Sequence, residues 1–144
     1  IVLKKSWIIF LILFVLFWIN LNPIQVLGYI KNPLWEGNAA VYRNKIAIID
    51  YVYNDAKGRD FKYIVYTPAV HDYTYRYLFL WYGKKKFDYI PVQKNTGLFY
   101  VILEPDHDLP FRLKDWLRDR EGDGIIQKEK IVKGGITVQT RTLK

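Results

Sequence analysis

Apolar residues occur along the chain in blocks that differ in length and period. Residues 7–19 (WIIFLILFVLFWI) are apolar without interruption. Residues 61–66 and 98–103 are short apolar runs without polar alternation, which is typical of strands covered on both faces of a sheet. Residues 44–58 and 110–122 instead place apolar side chains three or four apart, as on one face of a helix. The pattern predicts an α/β domain that follows an apolar N-terminal segment.

Residues 60–83 (DFKYIVYTPAVHDYTYRYLFLWYG) form the densest run of aromatic and β-branched residues after the N-terminal segment. The strand at its start is stopped at Pro68, because proline has no N–H to donate to a sheet. The remainder predicts a helix that begins at Asp72 and ends at Gly83 as a left-handed cap, with a second strand as the competing interpretation. One face of this helix would carry Tyr73, Tyr77, Leu80 and Trp81.

The order of the elements predicts how the sheet is built. Residues 61–66 and 98–103, separated by a helix, predict a parallel, right-handed βαβ unit whose strands are adjacent and central. Residues 125–133 and 136–143 flank a Gly-Gly pair, which predicts a β-hairpin. Polar residues alternate along its second strand, so one face of that strand is expected to be exposed. These polar residues are Thr137, Gln139 and Arg141.

Polar residues and glycines mark the expected ends of the helices. Asn44 and Gly58 are predicted to cap the first helix of the domain at its two ends. Asp50 and Asp55 would then lie on the solvated side of that helix. Asp108 is placed to cap the helix that follows the second strand.

The apolar run 7–19 favours a helix that spans a membrane. Counting on to Leu27 gives the roughly 20 residues that cross a bilayer, and Trp7 and Trp18 bracket the run as interfacial aromatic residues do. A signal peptide and a buried core helix are the alternatives, and apolar residues on every side argue against the buried helix. The two lysines before the run put the N-terminal flank on the cytoplasmic side.

We therefore expect an α/β protein with one N-terminal transmembrane helix, followed by a small α/β domain with a C-terminal β-hairpin. Residues 1–28 would hold the transmembrane helix and its flanks, and residues 29–40 a juxtamembrane connector. Residues 41–144 would form an extracytoplasmic α/β domain. The chain begins at Ile1 instead of Met, so it is expected to be a fragment of a longer protein.

Composition narrows the possible chemistry. The 144 residues carry a net charge of +8 and include no cysteine, which excludes disulfides and thiol catalysis. Ser6 is the only serine, so covalent hydrolase chemistry has little to work with. Dinucleotide-binding, Walker A and zinc-ligand spacings are all missing from the sequence. The sequence predicts no cofactor.

The sequence has one group of side chains that could bind a metal, in a loop that follows a strand. They are Glu104, Asp106, His107 and Asp108. Hard cations use such carboxylates, but the spacing matches no defined metal loop, so a solvated helix start is favoured. His71 and Asp72 could form an acid–base pair, yet no nucleophile accompanies them. No catalytic residue and no metal ligand are predicted.

Two sets of side chains could bind partners at the surface. The lysine run 84–86, with Lys57 and Arg59, is expected to be solvated or to meet anionic lipid headgroups, and no nucleic-acid binding is predicted. Some aromatic residues could stack on sugars, although core packing is favoured for them. These are Tyr66, Tyr73, Trp81 and Tyr82.

Several segments together resemble the C-terminal end of bacterial membrane glycosyltransferases of the GT-C type. The segments are the apolar run 7–19, IIDYVYNDAKGRDFKYIVYTPAVHDYTYRYLFLWYG, LFYVILEPD, WLRDREGDG and GGITVQTR. The resemblance covers most of residues 45–141. The related enzymes include protein mannosyltransferases and aminoarabinose transferases, which use sugars linked to polyprenyl or dolichyl phosphate.

The resemblance implies a role for this chain within a larger enzyme. In the family the acidic catalytic residue lies in an early extracytoplasmic loop, which these residues do not include, so no catalytic residue carries over. The chain would be a non-catalytic, membrane-anchored extracytoplasmic domain of a glycosyltransferase. Its partners would be the lipid bilayer and, through the missing region, a polyprenyl-phosphate-linked sugar. The alternative is a stand-alone, singly anchored binding domain of the cell envelope.

Overall fold

The computed structural model describes residues 2–21, 38–92, 94 and 96–143. The chain divides into two compact units, Ile1–Leu34 and Trp35–Lys144. In the first unit, helix α1 runs from Val2 to Leu21. The predicted connector, residues 29–40, lies outside the described residues except at its end.

The second unit alternates helices and strands. Its elements are α2 (Tyr42–Ala56), β1 (Lys62–Tyr66), α3, β2 (Leu98–Leu103), α4 (Pro110–Arg118), β3 (Ile125–Ile131) and β4 (Thr137–Thr142). Helix α3 has three consecutive segments, of which the middle one is π-helical: Tyr73–Tyr77, Leu78–Gly83 and Lys84–Phe87. The α/β class is therefore confirmed.

The four strands form one mixed sheet in the order β1-β2-β4-β3. Strand β1 pairs in parallel with β2, where Val65 lies opposite Ile102. Strand β4 pairs antiparallel with both β2 and β3. The parallel pair and the hairpin are as predicted. Strand β1, however, lies at one end of the sheet, because β4 occupies the other side of β2.

Helices cover both faces of the sheet. Helices α2 and α3 pack on one face, in a core that includes Ile49, Tyr75, Phe79, Tyr100 and Ile102. Helix α4 packs on the other face, against Tyr66, Phe99, Val101 and Leu103. Strand β2 is buried along its whole length for this reason, as its lack of polar alternation predicted.

The exposed face predicted for the second hairpin strand is wrong. Gln139 and Arg141 of β4 are only 5% and 3% exposed. The guanidinium of Arg141 donates to Gln139 Oε1 at 2.6 Å through Nη2 and to the carbonyl of Arg120 at 2.9 Å through Nη1. The turn after α4 thus covers polar side chains that satisfy one another. Gly134 and Gly135, with φ of 64° and 70°, form the predicted hairpin turn.

Gly83 does not end α3. The helix continues to Phe87, and Gly83 has a φ of −58° within it. A Cβ at Gly83 would collide with the ring of Tyr53, so a side chain is excluded there by close packing. The residue with left-handed backbone is Asp88, at a φ of 64°. The helix does begin after Asp72, but the Asp72 side chain makes no capping hydrogen bond.

Helix α2 also begins and ends differently from the prediction. Val41 precedes its first turn, and Asn44 lies inside the helix, where its side-chain amide donates to the carbonyl of Asn38 at 2.9 Å. At the other end Lys57 takes the left-handed conformation and its N–H donates to the carbonyl of Tyr53. Gly58 follows, also with positive φ.

Helix α1 exposes apolar side chains on every side. All thirteen residues from Trp7 to Ile19 are between 48% and 71% exposed. Among the residues that the structure describes, none of the helices combines the length and the apolar character that crossing a membrane requires. The stretch predicted to span, residues 7–27, runs past the described end of α1.

We expect Ile102→Asp to unfold the second unit, because it would bury a charge without a partner at a fully buried position between two helical layers. The loss of unfolding free energy should exceed about 4 kcal/mol, which is a large part of the stability of a small domain. Urea unfolding followed by circular dichroism measures it. Ile131→Asp, at a position 69% exposed in β3, is the matched control and should change stability little. A folded Ile102→Asp protein would show that the core is assigned wrongly.

Candidate functional site

A cleft of about 280 Å³ opens at the carboxyl end of β1. Its lining residues are Val65, Tyr66, Thr67, Pro68, Val70, Arg112 and Trp116. In open α/β sheets, ligands bind in the crevice outside the carboxyl ends of the strands. The cleft therefore occupies the place in this fold where a binding site is expected.

The buried carboxylate of Asp106 lies beside this cleft. Its Oδ2 accepts hydrogen bonds from the Tyr66 hydroxyl at 2.7 Å and from Arg112 Nε at 3.0 Å. Its Oδ1 accepts the backbone N–H of Leu109 at 2.9 Å. The Asp106 side chain is only 1% exposed. Both carboxylate oxygens are thus occupied by donors from the chain itself.

These contacts shift the pKa values of two groups beside the cleft. The hydrogen bond from Tyr66 holds the pKa of Asp106 below its usual range, and the Leu109 N–H and Arg112 act in the same direction. Burial, with the bond to Asp106, raises the pKa of Tyr66. Asp106 is consequently a charged acceptor that binds Tyr66, Arg112 and the Leu109 N–H, which suits a structural role better than that of a general base.

Arg112 and Trp116 are the groups that the cleft offers to a ligand. The bonds from Arg112 to Asp106 use Nε and Nη2, and the Arg112 side chain remains 37% exposed. A guanidinium has five N–H donors, so others remain for an anion in the cleft. The Trp116 ring packs edge-on against Tyr66 at 5.6 Å and holds the Arg120 guanidinium 4.0 Å from its centre.

Val70, at the rim of the cleft, has a strained backbone. Its φ is 67°, a conformation that a β-branched residue rarely adopts, and its side chain is 78% exposed. Its N–H donates to the carbonyl of Thr67, while the Thr67 hydroxyl accepts the N–H of Ala69. Strain of this kind is concentrated at functional sites, because the surrounding structure must enforce it.

The metal-capable side chains of this loop, for which the sequence favours a solvated helix start, point to different parts of the fold. Glu104 turns toward the opposite layer, where it accepts a hydrogen bond from Tyr75 at 2.9 Å and pairs with Lys45 at 2.7 Å. Asp106 faces α4, and His107 and Asp108 are exposed. The described residues contain no group of three or more side chains that could hold a metal ion.

Asp108 does not cap α4, contrary to the prediction. The Leu109 N–H is accepted instead by Asp106, two residues earlier in the chain. Pro110 does lie in the first turn of α4, where the N–H that proline lacks would have no partner within the helix.

Asp50 and Asp55 are not simply solvated. Asp55 accepts hydrogen bonds from Tyr100 at 2.8 Å, from Thr140 at 3.3 Å and from Lys128 at 3.2 Å. Burial alone would raise the pKa of Asp55, but the Tyr100 and Lys128 hydrogen bonds lower it on balance. The carboxylate therefore joins α2 to the sheet. The prediction failed because helical spacing does not reveal which strand lies beneath a helix.

The lysine run on α3 has mixed surroundings. Lys86 pairs with Asp50 at 2.8 Å, and Lys84 pairs with Asp88 at 3.1 Å. Lys85 makes no ion pair with any residue that the structure describes. The sequence groups Arg59 and Lys57 with this run. In the structure Arg59 donates to the carbonyl of Ala56 at the end of α2, and Lys57 is exposed.

The other residues considered for ligand binding are separated in the fold. Tyr66 is buried, and the Tyr82 hydroxyl donates to Asp50 at 2.9 Å. Tyr73 and Trp81 are 64% and 47% exposed on α3, away from the cleft. His71 stacks on the ring of Tyr73 at 5.0 Å, and within the described residues it makes no hydrogen bond to Asp72.

Sequence reasoning did not single out the three residues that make the cleft distinctive, namely Val70, Arg112 and Trp116. On the helix predicted at residues 110–122, Trp116 and Arg112 only fit the usual pattern of an amphipathic helix, with one apolar and one charged face. Only the return of α4 over β1 brings them beside Tyr66. No protein-family model matches the chain, and comparisons with curated proteins and with solved structures found no match.

We expect Val70→Gly to stabilise the protein by roughly 1 kcal/mol, because glycine adopts positive φ without the steric cost that valine bears. Thermal unfolding measures the change. Ile90→Gly is the control, since Ile90 is an exposed β-branched loop residue whose φ is not positive and which gains nothing from glycine. Equal destabilisation by both substitutions would show that Val70 is unstrained.

Proposed function

We propose that the chain is a membrane-anchored, extracytoplasmic α/β domain of a lipid-linked-sugar glycosyltransferase, and that it binds and positions substrate without performing the chemistry. The observation that carries the proposal is a helix with thirteen consecutive exposed apolar side chains, in the same chain as a compact α/β unit with a ligand-sized cleft. The resemblance of the sequence segments supplies the enzyme class.

The anchor rests on the surface that α1 presents. A continuous apolar surface on all sides of a helix is unfavourable in water and favourable in a bilayer. Trp7 and Trp18 stand near the ends of the apolar run, where interfacial aromatic residues belong. Continued to Leu27, the run has the length of a span of about 20 residues. Lys4 and Lys5 favour a cytoplasmic N-terminal flank, with the α/β unit outside.

The substrate-positioning role rests on the cleft. Asp106 and Glu104 hold donors from the chain on their carboxylates, which suits structural roles for both. Arg112 offers a planar donor fork that suits a phosphate oxygen pair. Trp116 lines the cleft and, because the Arg120 guanidinium lies over its ring, offers its remaining aromatic surface to the apolar face of a sugar. A sugar phosphate carries both of these chemical features.

A stand-alone binding domain of the cell envelope is the second candidate. It is favoured by the compactness of the α/β unit, which holds its own core and its own cleft. The DNA sequence upstream of the codon for Ile1 distinguishes the two candidates. An open reading frame that continues upstream through many apolar spans supports the glycosyltransferase, whereas a start codon shortly before Ile1 supports the single-domain protein.

The topology can be tested by labelling, because the chain contains no cysteine. We expect Glu121→Cys, on the exposed surface of the α/β unit, to react with an impermeant maleimide added outside intact cells. Leu13→Arg should reduce the membrane-bound fraction strongly, since a central charge costs roughly 2.5–3.5 kcal/mol on insertion scales. Ile131→Arg in the exposed strand β3 is the matched control.

Labelling only after the cells are opened would contradict the topology. A soluble fragment beginning near Tyr29 would favour the signal-peptide interpretation.

Binding in the cleft is a separate prediction. In nanodiscs, we expect the full chain to bind a short-chain isoprenyl-phosphate sugar, measured by calorimetry. Arg112→Lys keeps the charge but loses the donor fork, and Trp116→Leu removes the aromatic face. Each should raise Kd by roughly ten-fold, through the loss of a charge-assisted hydrogen bond in Arg112→Lys and of an aromatic contact in Trp116→Leu. Arg118→Lys, exposed on the same helix, should leave Kd unchanged. Unchanged binding in all three variants would mean that the cleft is not the site.

A further inference from the structure

Helix α3 presents an apolar and aromatic surface to solvent, which we name the α3 stripe. Its members are Tyr73 (64% exposed), Tyr77 (55%), Leu80 (57%) and Trp81 (47%). The sequence predicts that these four residues share a helical face, and that spacing ordinarily marks the side turned to the core. In this helix it marks the side turned away. Contiguous exposed apolar patches of this kind are typical of interaction sites.

The π-helical segment explains why the stripe faces outward. Tyr75, Phe79 and Gly83 face the core at intervals of four residues, and each is buried. The wider turn of Leu78–Gly83 keeps every fourth residue on the same side, where a regular α-helix would rotate it away. Tyr53 lies against Gly83 and fixes this register. The opposite side of the helix is therefore held in solvent by the packing of the core.

The exposed rings are already ordered in pairs. The rings of Tyr77 and Trp81 stack with centroids 5.7 Å apart and planes 13° from parallel. The rings of His71 and Tyr73 stack at 5.0 Å and 9°. Side chains held in this way lose little conformational freedom when a partner covers them, which favours binding.

Positive charge continues the stripe at its C-terminal end. Lys85 follows Trp81 by one helical turn, and its Nζ lies 5.4 Å from the centre of the Trp81 ring. Lys84 and Lys86 flank it and are 58% and 46% exposed. Each of these two has one carboxylate partner, whereas Lys85 has none among the described residues. The end of the stripe is thus a site for anions next to aromatic rings.

We propose that the α3 stripe is a second membrane contact, which docks the α/β unit onto the headgroup region of an anionic bilayer. Tyr and Trp side chains lie preferentially at this level of a membrane, with the ring in the apolar region and the polar atom in water. Lysines extend from there to lipid phosphates. The proposal rests on the membrane anchoring proposed above and adds the surface that meets the bilayer.

The charge of the chain favours lipid as the occupant over a protein partner. The net charge is +8, and lysine is depleted at protein–protein interfaces, whereas Tyr, Trp and Lys together are the composition of membrane interfaces. A site for a free sugar would need hydrogen-bond donors and acceptors fixed around the rings. The stripe instead shows Leu80 and aromatic faces on a convex helix.

Depth-dependent quenching tests the proposal on the full chain in vesicles. Single cysteines carry the fluorophore NBD at three positions: Tyr77→Cys on the stripe, Leu13→Cys on α1, and Lys114→Cys on α4. Lipids with a nitroxide in the headgroup quench NBD at the interface, and lipids with a nitroxide deep in the acyl chain quench NBD near the bilayer centre, where the probe on α1 is expected. We expect quenching and a blue shift at Tyr77→Cys in vesicles that contain phosphatidylglycerol, and neither at Lys114→Cys.

The probe on α1 separates the two proposals. Quenching at Leu13→Cys without quenching at Tyr77→Cys overturns docking and leaves the anchor standing. Quenching at Tyr77→Cys alone supports docking and overturns the anchor. A blue shift at Tyr77→Cys without quenching identifies a protein partner and overturns the choice of lipid.

Lys85→Gln, in the Tyr77→Cys background, tests the charge without altering the aromatic rings. We expect the ratio of docked to undocked protein to fall roughly five-fold, equivalent to about 1 kcal/mol for one lysine near an anionic surface. Lys114→Gln makes the same change in net charge and should have no effect. Equal docking by the Lys85→Gln variant, or equal docking of the parent to neutral vesicles, overturns the role of the lysine run.

Discussion

Hydrogen bonds from buried tyrosine hydroxyls to carboxylates connect the layers of this domain. Tyr100, on β2, bonds to Asp55 on α2, and Tyr75, on α3, bonds to Glu104 just after β2. Tyr66 bonds to Asp106 on the other side of the sheet. A buried hydroxyl or carboxylate without a partner would cost several kcal/mol, so each bond requires the correct register of strand and helix. The aromatic core can be large and still specify one arrangement because the hydroxyls of Tyr66, Tyr75 and Tyr100 have these partners.

The buried hydroxyl of Tyr53 finds its hydrogen-bond partners on the backbone and not on a carboxylate. Its ring stacks on Phe87 at 4.5 Å, and its hydroxyl donates to the carbonyls of Phe79 and Tyr89. These contacts leave no room for a side chain at Gly83 and bring the wider turn of α3 against α2. One tyrosine thereby sets which side of α3 is buried. The exposed aromatic residues on the other side follow from that packing.

The α/β class, the parallel strand pair and the hairpin could be predicted from the sequence, because unbroken apolar strands and a Gly-Gly turn are local signals. The order of the sheet could not, since a polar β4 gives no sign that it lies beside β2. Gln139 and Arg141 read as solvent-facing until their mutual hydrogen bonds are known. The cleft escaped prediction for the same reason: Arg112 and Tyr66 are far apart in sequence and meet through Asp106. Long-range polar pairing is the information that periodicity lacks.

The free edge of β3 has a consequence for how copies of the protein behave beside one another. Every residue of Ile125–Ile131 is exposed, and the strand forms one end of the sheet. An open strand edge is a template for pairing with another chain, and confinement to a membrane surface would raise the encounter rate of such edges. Here the edge carries the alternating charges of Lys128, Glu129 and Lys130, and its register is interrupted at Gln127. Charge and irregularity together disfavour strand-to-strand polymerisation, so neighbouring copies can crowd without joining their sheets.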